Sequence, residues 1–333
     1  MGSLSPGNQR SQSSPDTGLN QLHRPVSPAH KGIERETEVG RVMFEAFRSI
    51  LKLKEEPSIA RLGRIRQMGA ASSVTESNKL RHNRLMHTMD VVRNVLQLAS
   101  HGNFSPRMTA LCAAVAFAHD IAHLPTSHLL ERTLINHLGI NRNHDAMRIP
   151  RLLNTTIRSR LEPALERFGA TYDELLAAMV GPAMSNTRPS LDDMGKRGVV
   201  VEESLAFLSR LETDVSLKNR GISINLLVDD LVDLASYVQR DLYRAHAVQQ
   251  PMQISDQLVA EVSHASHRAL SSVMTTESTS SPHPFEVTAL VPMLQLLAAR
   301  GYLYQTVACS PAAAVLSKQF SASLEEYLQK SID

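Results

Sequence analysis

From Thr109 to Ala118 the chain reads Thr-Ala-Leu-Cys-Ala-Ala-Val-Ala-Phe-Ala, with no charged residue and no polar face. Ser105-Pro106, just before it, supply an N-cap followed by proline at the first helical position. A helix that is apolar all round is stable only when neighbours cover every side. The segment therefore demands a central place in a domain built of several helices. It runs straight into His119-Asp120-Ile121-Ala122-His123. Burying a carboxylate is costly unless it is paired or bound to a cation. A divalent first-row metal, offered a neutral imidazole nitrogen and an anionic oxygen, supplies that compensation.

The rest of the chain repeats the helical period. Val39, Val42, Met43, Phe47, Ile50 and Leu51 recur at three- and four-residue spacing, as do Leu85, Met89, Val92, Leu96 and Ala99. The pattern predicts further helices over 126–138, 143–167, 171–180, 200–212, 224–247 and 253–273, and over 285–330 with breaks. The Gly-Pro-containing stretch 181–198 and the Thr/Ser/Pro-rich stretch 275–284 read as loops, and Gly198-Val199-Val200-Val201 is the best short strand. The fold class expected is mostly α with few short strands. Residues 1–36, rich in Ser, Pro, Gly, Asn and Gln, bury too little apolar surface to offset their ordering entropy and read as a disordered tail. Residues 37–333 read as one large domain.

Composition narrows the function. With 35 basic and 33 acidic residues the formal charge is only +2, too little for a strongly basic nucleic-acid grip. Aromatics are 4% with no Trp, which argues against a stacking platform. Two cysteines, Cys112 and Cys309, make neither a disulfide framework nor a cysteine-based zinc site. No apolar run approaches the ~20 residues that span a bilayer, so the expectation is a cytoplasmic protein with no membrane segment. The unusual residue is histidine, 14 in all and clustered.

Further donors accompany the His119-Asp120 pair. His87 sits on an earlier apolar-periodic segment, and Asp229, Asp230, Asp233 and Asp241 on a later one. Asp233, Tyr237 and Asp241 at i, i+4 and i+8 share one helix face. Asp229 and Asp230 stand on a similar face and compete as ligands; Asp233 is preferred because only it has Tyr at +4 and Asp at +8.

The order His87, His119-Asp120, Asp233 resembles the H…HD…D signature of the HD-domain metal-dependent phosphohydrolases. The flanking text resembles one branch, the dGTPase-like deoxynucleoside triphosphate triphosphohydrolases. Ile65-Arg66-Gln67-Met68-Gly69 and His82-Asn83-Arg84-Leu85-Met86-His87-Thr88 are similar to its opening segments. His119-Asp120-Ile121-Ala122-His123-Leu124-Pro125-Thr126-Ser127-His128-Leu129-Leu130-Glu131 is similar to its H-D-I-G-H-x-P-F-S/G-H-x-x-E/D motif. Asn143-His144-Asp145, Asp233-x-x-x-Tyr237-x-x-x-Asp241 and Ala299-Arg300-x-x-Leu303-Tyr304 match later motifs, so the likeness covers about residues 60–310. Ala122, Leu124 and Thr126 depart from the usual Gly, Gly or Pro, and Phe.

The resemblance implies a single HD-domain fold in which His87, His119, Asp120 and Asp233 hold one divalent metal. Manganese is favoured over iron, magnesium, cobalt or nickel. It implies attack of water on the α-phosphorus of a deoxynucleoside triphosphate and departure of inorganic triphosphate. His128, oriented by Glu131, would be the general acid. His123, His144 and Arg84 would contact phosphate, Gln67 and Asp241 the sugar 3′-hydroxyl, Tyr237 the sugar face, and Arg300 phosphate or base. Homo-oligomers and weak single-stranded nucleic-acid binding are also implied. Two other readings stay open: another HD phosphohydrolase acting on monophosphates, cyclic nucleotides or alarmones, and a catalytically idle nucleotide or single-stranded DNA sensor.

Overall fold

The computed structural model describes residues 45, 48, 52–67, 82–101, 104–125, 128–139, 144–181, 184–196, 198, 200–238, 240–241, 294, 297–298, 300–301 and 311–332. The expected tail 1–36, the helix 253–273 and the loop 275–284 lie outside these residues. So do most of the 39–51 helix pattern and most of 285–310.

The described residues are almost wholly helical: α1 (Arg84–His101), α2 (Pro106–Ala118), α3 (His128–Leu138), α4 (His144–Leu152), α5 (Thr155–Glu166), α6 (Tyr172–Val180), α7 (Met184–Lys196), α8 (Glu202–Thr213), α9 (Val215–Asn225) and α10 (Pro311–Ile332). A π-helical segment, Leu226–Asp233, continues α9. No strand exists among the described residues; a single antiparallel bridge joins Arg66 to Asn83.

The apolar helix takes the central place its composition demands. Every residue of α2 from Thr109 to Ala118 is buried, against α1, α5, α6 and the π segment. Ser105 accepts a hydrogen bond from Met108 N at 3.2 Å, so the start is capped as the sequence predicts. Cys112 is buried in this core. Packing against α6 brings α9 very close: a Cβ on Gly221 would lie 2.6 Å from the Ala177 carbonyl carbon and oxygen. Gly221→Ala should therefore cost about 1–3 kcal/mol by overpacking. Gly63→Ala, whose new methyl would meet nothing nearer than 3.7 Å, should change little; denaturant midpoints of the two variants check this.

Four sequence expectations are corrected. The 181–198 loop is helical over α7, with Thr187, Ser190, Leu191 and Met194 buried on one face. The apolar period was hidden because two of its four inward residues are hydroxylic, and Pro189 lies inside the helix. The 198–201 strand does not form: Gly198 has φ 77°, Val200 is exposed, and Val201 becomes the N-cap of α8. The single helix expected over 143–167 is two, because Asn154 accepts from Thr156 N at 3.1 Å and caps α5 afresh. The helix expected from 224 is preceded by α9, whose start is capped by Asp214 accepting from Leu217 N at 2.9 Å.

Candidate metal centre

Three separated segments deliver the predicted donors to one place. α1 carries His87, the turn after α2 carries His119 and Asp120, and the π segment ends at Asp233. Asp233 Oδ1 lies 2.6 Å from His87 Nε2 and 3.5 Å from His119 Nε2. The donor atoms of His87, His119 and Asp233 all lie within 4.8 Å of one another. Asp120 borders this set, with Oδ2 3.6 Å from His119 Nε2. Its other oxygen is taken by Arg84 Nη1 at 2.7 Å and approached by His123 Nε2 at 3.1 Å.

These residues fit a divalent ion. His119 Nδ1 donates to the Ala116 carbonyl at 2.6 Å, which leaves Nε2 as the inward nitrogen, able to ligate once it gives up its proton. His119 Nε2 and Asp120 Oδ2 are buried with no hydrogen-bond partner among the described residues, the condition an ion relieves. The turn carrying them is clamped by Arg61, whose guanidinium donates to the Ile121 and His123 carbonyls.

The geometry separates the three competing aspartates. Asp233 meets the histidines; Asp229 is held by Arg148 Nη1 at 2.7 Å; Asp230 is exposed. The π turn, wider than an α turn, presents Asp229 and Asp233 to different partners.

A second cluster lies alongside. Glu131 is approached by His123 Nδ1 at 3.6 Å, His128 Nδ1 at 3.4 Å and His144 Nδ1 at 3.1 Å. The His123 and His144 rings stack at 4.0 Å. His144 Nε2 lies 3.0 Å from Asp145 Oδ1, and Arg148 Nη2 3.1 Å from the same oxygen. The two clusters are joined through the Asp120–His123 contact.

Charge follows this wiring. Burial opposes the charged form of His119, but Asp120 and Asp233 outweigh it and push the imidazole up to about 9. Burial, reinforced by Arg84, pushes His123 down to about 4 against the pull of Asp120. Burial works against the Asp120 carboxylate, yet Arg84, His119 and His123 hold it well below its ordinary value. Glu131 is likewise held well below the carboxylate range, its burial overcome by the neighbouring His123, His128 and His144 rings. His144 is raised: Asp145 and Glu131 overcome its burial.

Of the remaining predicted residues, Tyr237 borders the first cluster, Arg300 lies over Tyr237, and Asp241 and Gln67 meet at His82. The Tyr237 ring is 6.5 Å from that of His87, and the Arg300 guanidinium lies 5.8 Å from the Tyr237 ring centre. Asp241 Oδ1 lies 2.9 Å from His82 Nε2, and Gln67 N donates to the His82 carbonyl at 3.1 Å. Gln67 Oε1 is buried without a hydrogen-bond partner among the described residues. Sequence reasoning assigned no role to His82 or Arg148. Arg148 did carry a signal, standing three residues after Asp145 on one helix face; the His82–Asp241 pairing left no local trace.

No protein-family model matches the chain, and no curated protein matches it. The geometry therefore stands by itself: the described residues are mostly helical and hold two His/carboxylate clusters able to take a metal ion. Among the described residues no helix is long and apolar enough to cross a membrane.

Because an imidazolium cannot ligate, metal must displace the His119 proton at any pH below about 9. Apparent affinity for manganese should rise about tenfold per pH unit from pH 7 towards 9. Calorimetry in buffers of different ionisation heat should register about one proton released at pH 7. A flat affinity profile would contradict this.

Proposed function

We propose that the protein is a metal-dependent phosphohydrolase of the HD type that converts deoxynucleoside triphosphates to deoxynucleoside and intact triphosphate. The observation that carries the reading is the adjacency of the two clusters: a buried His87/His119/Asp233 set suited to a cation, joined through Asp120 and His123 to a histidine–carboxylate pair suited to proton transfer.

A bound divalent ion supplies Lewis-acid polarisation of the α-phosphate. The chain supplies the rest. His128 donates its proton to the departing 5′-oxygen of the deoxynucleoside. Glu131, kept ionised among three histidines, orients that ring. His123, neutral near pH 7, and the charge-favouring His144 stand where they contact phosphate oxygens. Arg84, gripping Asp120, adds positive charge at the junction of the clusters. Gln67 Oε1, without a hydrogen-bond partner among the described residues, supports its reading as an acceptor for the 3′-hydroxyl, with Asp241 also at His82. Tyr237, under Arg300 and facing His87, suits the face of a sugar lacking a 2′-hydroxyl.

The test is to incubate purified protein with manganese and each of the four dNTPs and to separate the products. Deoxynucleoside plus intact triphosphate supports the reading; stepwise phosphate release, or no turnover with any divalent metal, removes it. His128→Ala should lower kcat about 10²-fold. That is the low end of the general-acid range, because a side chain 47% exposed can be replaced by water as proton source. Unchanged kcat would refute the acid assignment.

A further inference from the structure

Three imidazoles converge on one carboxylate in the second cluster, and the outer nitrogens of two of them are already committed. His123 Nε2 faces Asp120 Oδ1 at 3.1 Å, and His144 Nε2 faces Asp145 Oδ1 at 3.0 Å. An ionised carboxylate only accepts, so each Nε2 carries the proton and donates it. In the neutral His123 ring Nδ1 is then a bare lone pair, and it points at Oε1 of Glu131, an anion in a water-poor setting. His144 Nδ1 is hydrogen-bonded to the other oxygen, Glu131 Oε2, at 3.1 Å. His123 Nδ1 and Glu131 Oε1 are both buried and have no hydrogen-bond partner among the described residues. Two acceptors facing each other repel, and a cation between them removes the conflict.

The spacing selects the kind of cation. A tetrahedral ion with bonds of about 2.0–2.2 Å holds neighbouring donors about 3.3–3.6 Å apart. The three histidine nitrogens lie 3.6, 3.4 and 3.1 Å from the Glu131 oxygens. All four donors lie within 4.8 Å of one another. Three imidazoles and one carboxylate are borderline donors of the zinc class, whereas magnesium and calcium favour oxygen cages. Asp120 and Asp145 are the outer carboxylates that fix ring tautomers around such ions. His128, half exposed, gives the ion a way in.

We propose that His123, His128, Glu131 and His144 form a second site for a zinc-class divalent ion, distinct from the His87/His119/Asp233 set. The binding site stands independently of the proposed hydrolysis; only its consequence rests on that reading. An ion here occupies the Nδ1 lone pairs and the Glu131 carboxylate, so it removes the acid pair from use and inhibits turnover.

The experiment uses full-length protein stripped of metal by chelation. It is titrated with zinc and with cobalt(II), and followed by elemental analysis and visible d–d absorption. Wild type should take up two equivalents, Asp233→Ala one, and Asp233→Ala/His144→Ala none. The cobalt bands of Asp233→Ala protein should have the intensity of tetrahedral coordination. His128→Ala, altered at a half-exposed position, should keep its helical circular dichroism while zinc affinity at the second site falls at least tenfold. A single equivalent in wild type that is lost in Asp233→Ala, or helical Asp233→Ala protein without cobalt bands, overturns the site. In the manganese-supported assay, zinc should inhibit in step with the second equivalent. Absent turnover with two equivalents bound would sink the hydrolase reading and leave this site standing.

Discussion

Asp233→Ala protein should remain folded, lose its response to manganese and turn over at least ~10³-fold more slowly. Asp233 is the one anion in the tight donor set, 2.6 Å from His87 Nε2 and 3.5 Å from His119 Nε2. Burial pushes its carboxyl up, but His87 and His119 hold it well below the usual carboxylate range, so it is charged at every working pH. Its loss leaves two imidazoles with Asp120, whose Oδ1 is committed to Arg84 and His123. A Lewis acid contributes several kcal/mol of transition-state stabilisation, and each 1.36 kcal/mol is tenfold in rate. Binding to the folded state alone adds about 2.7 kcal/mol of stability at a hundred times Kd. The thermal midpoint of wild type should therefore climb with manganese and that of Asp233→Ala should not. Exposed Asp230, changed to Asn, should behave as wild type; an Asp230→Asn variant that loses the manganese response would reassign the ligand.

Arg148→Met should be the most destabilising single change at the site, costing about 3–5 kcal/mol. Arg148 is 4% exposed and holds Asp229 at 2.7 Å and Asp145 at 3.1 Å. Burial works against its charge, but Asp229 and Asp145 push the guanidinium further into its charged form. Without it, two carboxylates remain beside the His144 ring and Asn225 with no cation between them. Breaking a buried pair is expensive, whereas replacing both partners by apolar groups is often neutral. Arg148→Met/Asp229→Leu should therefore recover part of the loss. Urea midpoints measure both; an Arg148→Met variant within about 1 kcal/mol of wild type would show that the network carries little stability.

What was legible in the sequence was whatever has a local period. The all-round apolar run of α2 announced its own burial, and Tyr237 and Asp241 at four-residue steps singled out Asp233 from its neighbours. The donors His87, His119 and Asp233 were named from residue type and order, and they meet in space. What was illegible depends on partners far along the chain. α7 packs partly through Thr187 and Ser190, which a hydrophobicity count treats as surface. Asp229 looked like a rival ligand because nothing near it reveals that Arg148, some eighty residues earlier, satisfies it. The valines at 199–201 favour a strand, but Val200 and Val201 find no neighbouring strand to pair with among the described residues.

The π-helical turn between Leu226 and Asp233 makes this helix sensitive to counting rather than to composition. Each residue in an ordinary helix advances the chain by about 100° around the axis. Removing one residue there would swing everything downstream by that angle, turning Asp233, Tyr237 and Asp241 together away from His87 and His82. Conservative exchanges within the segment can be absorbed by repacking; a change in its length cannot.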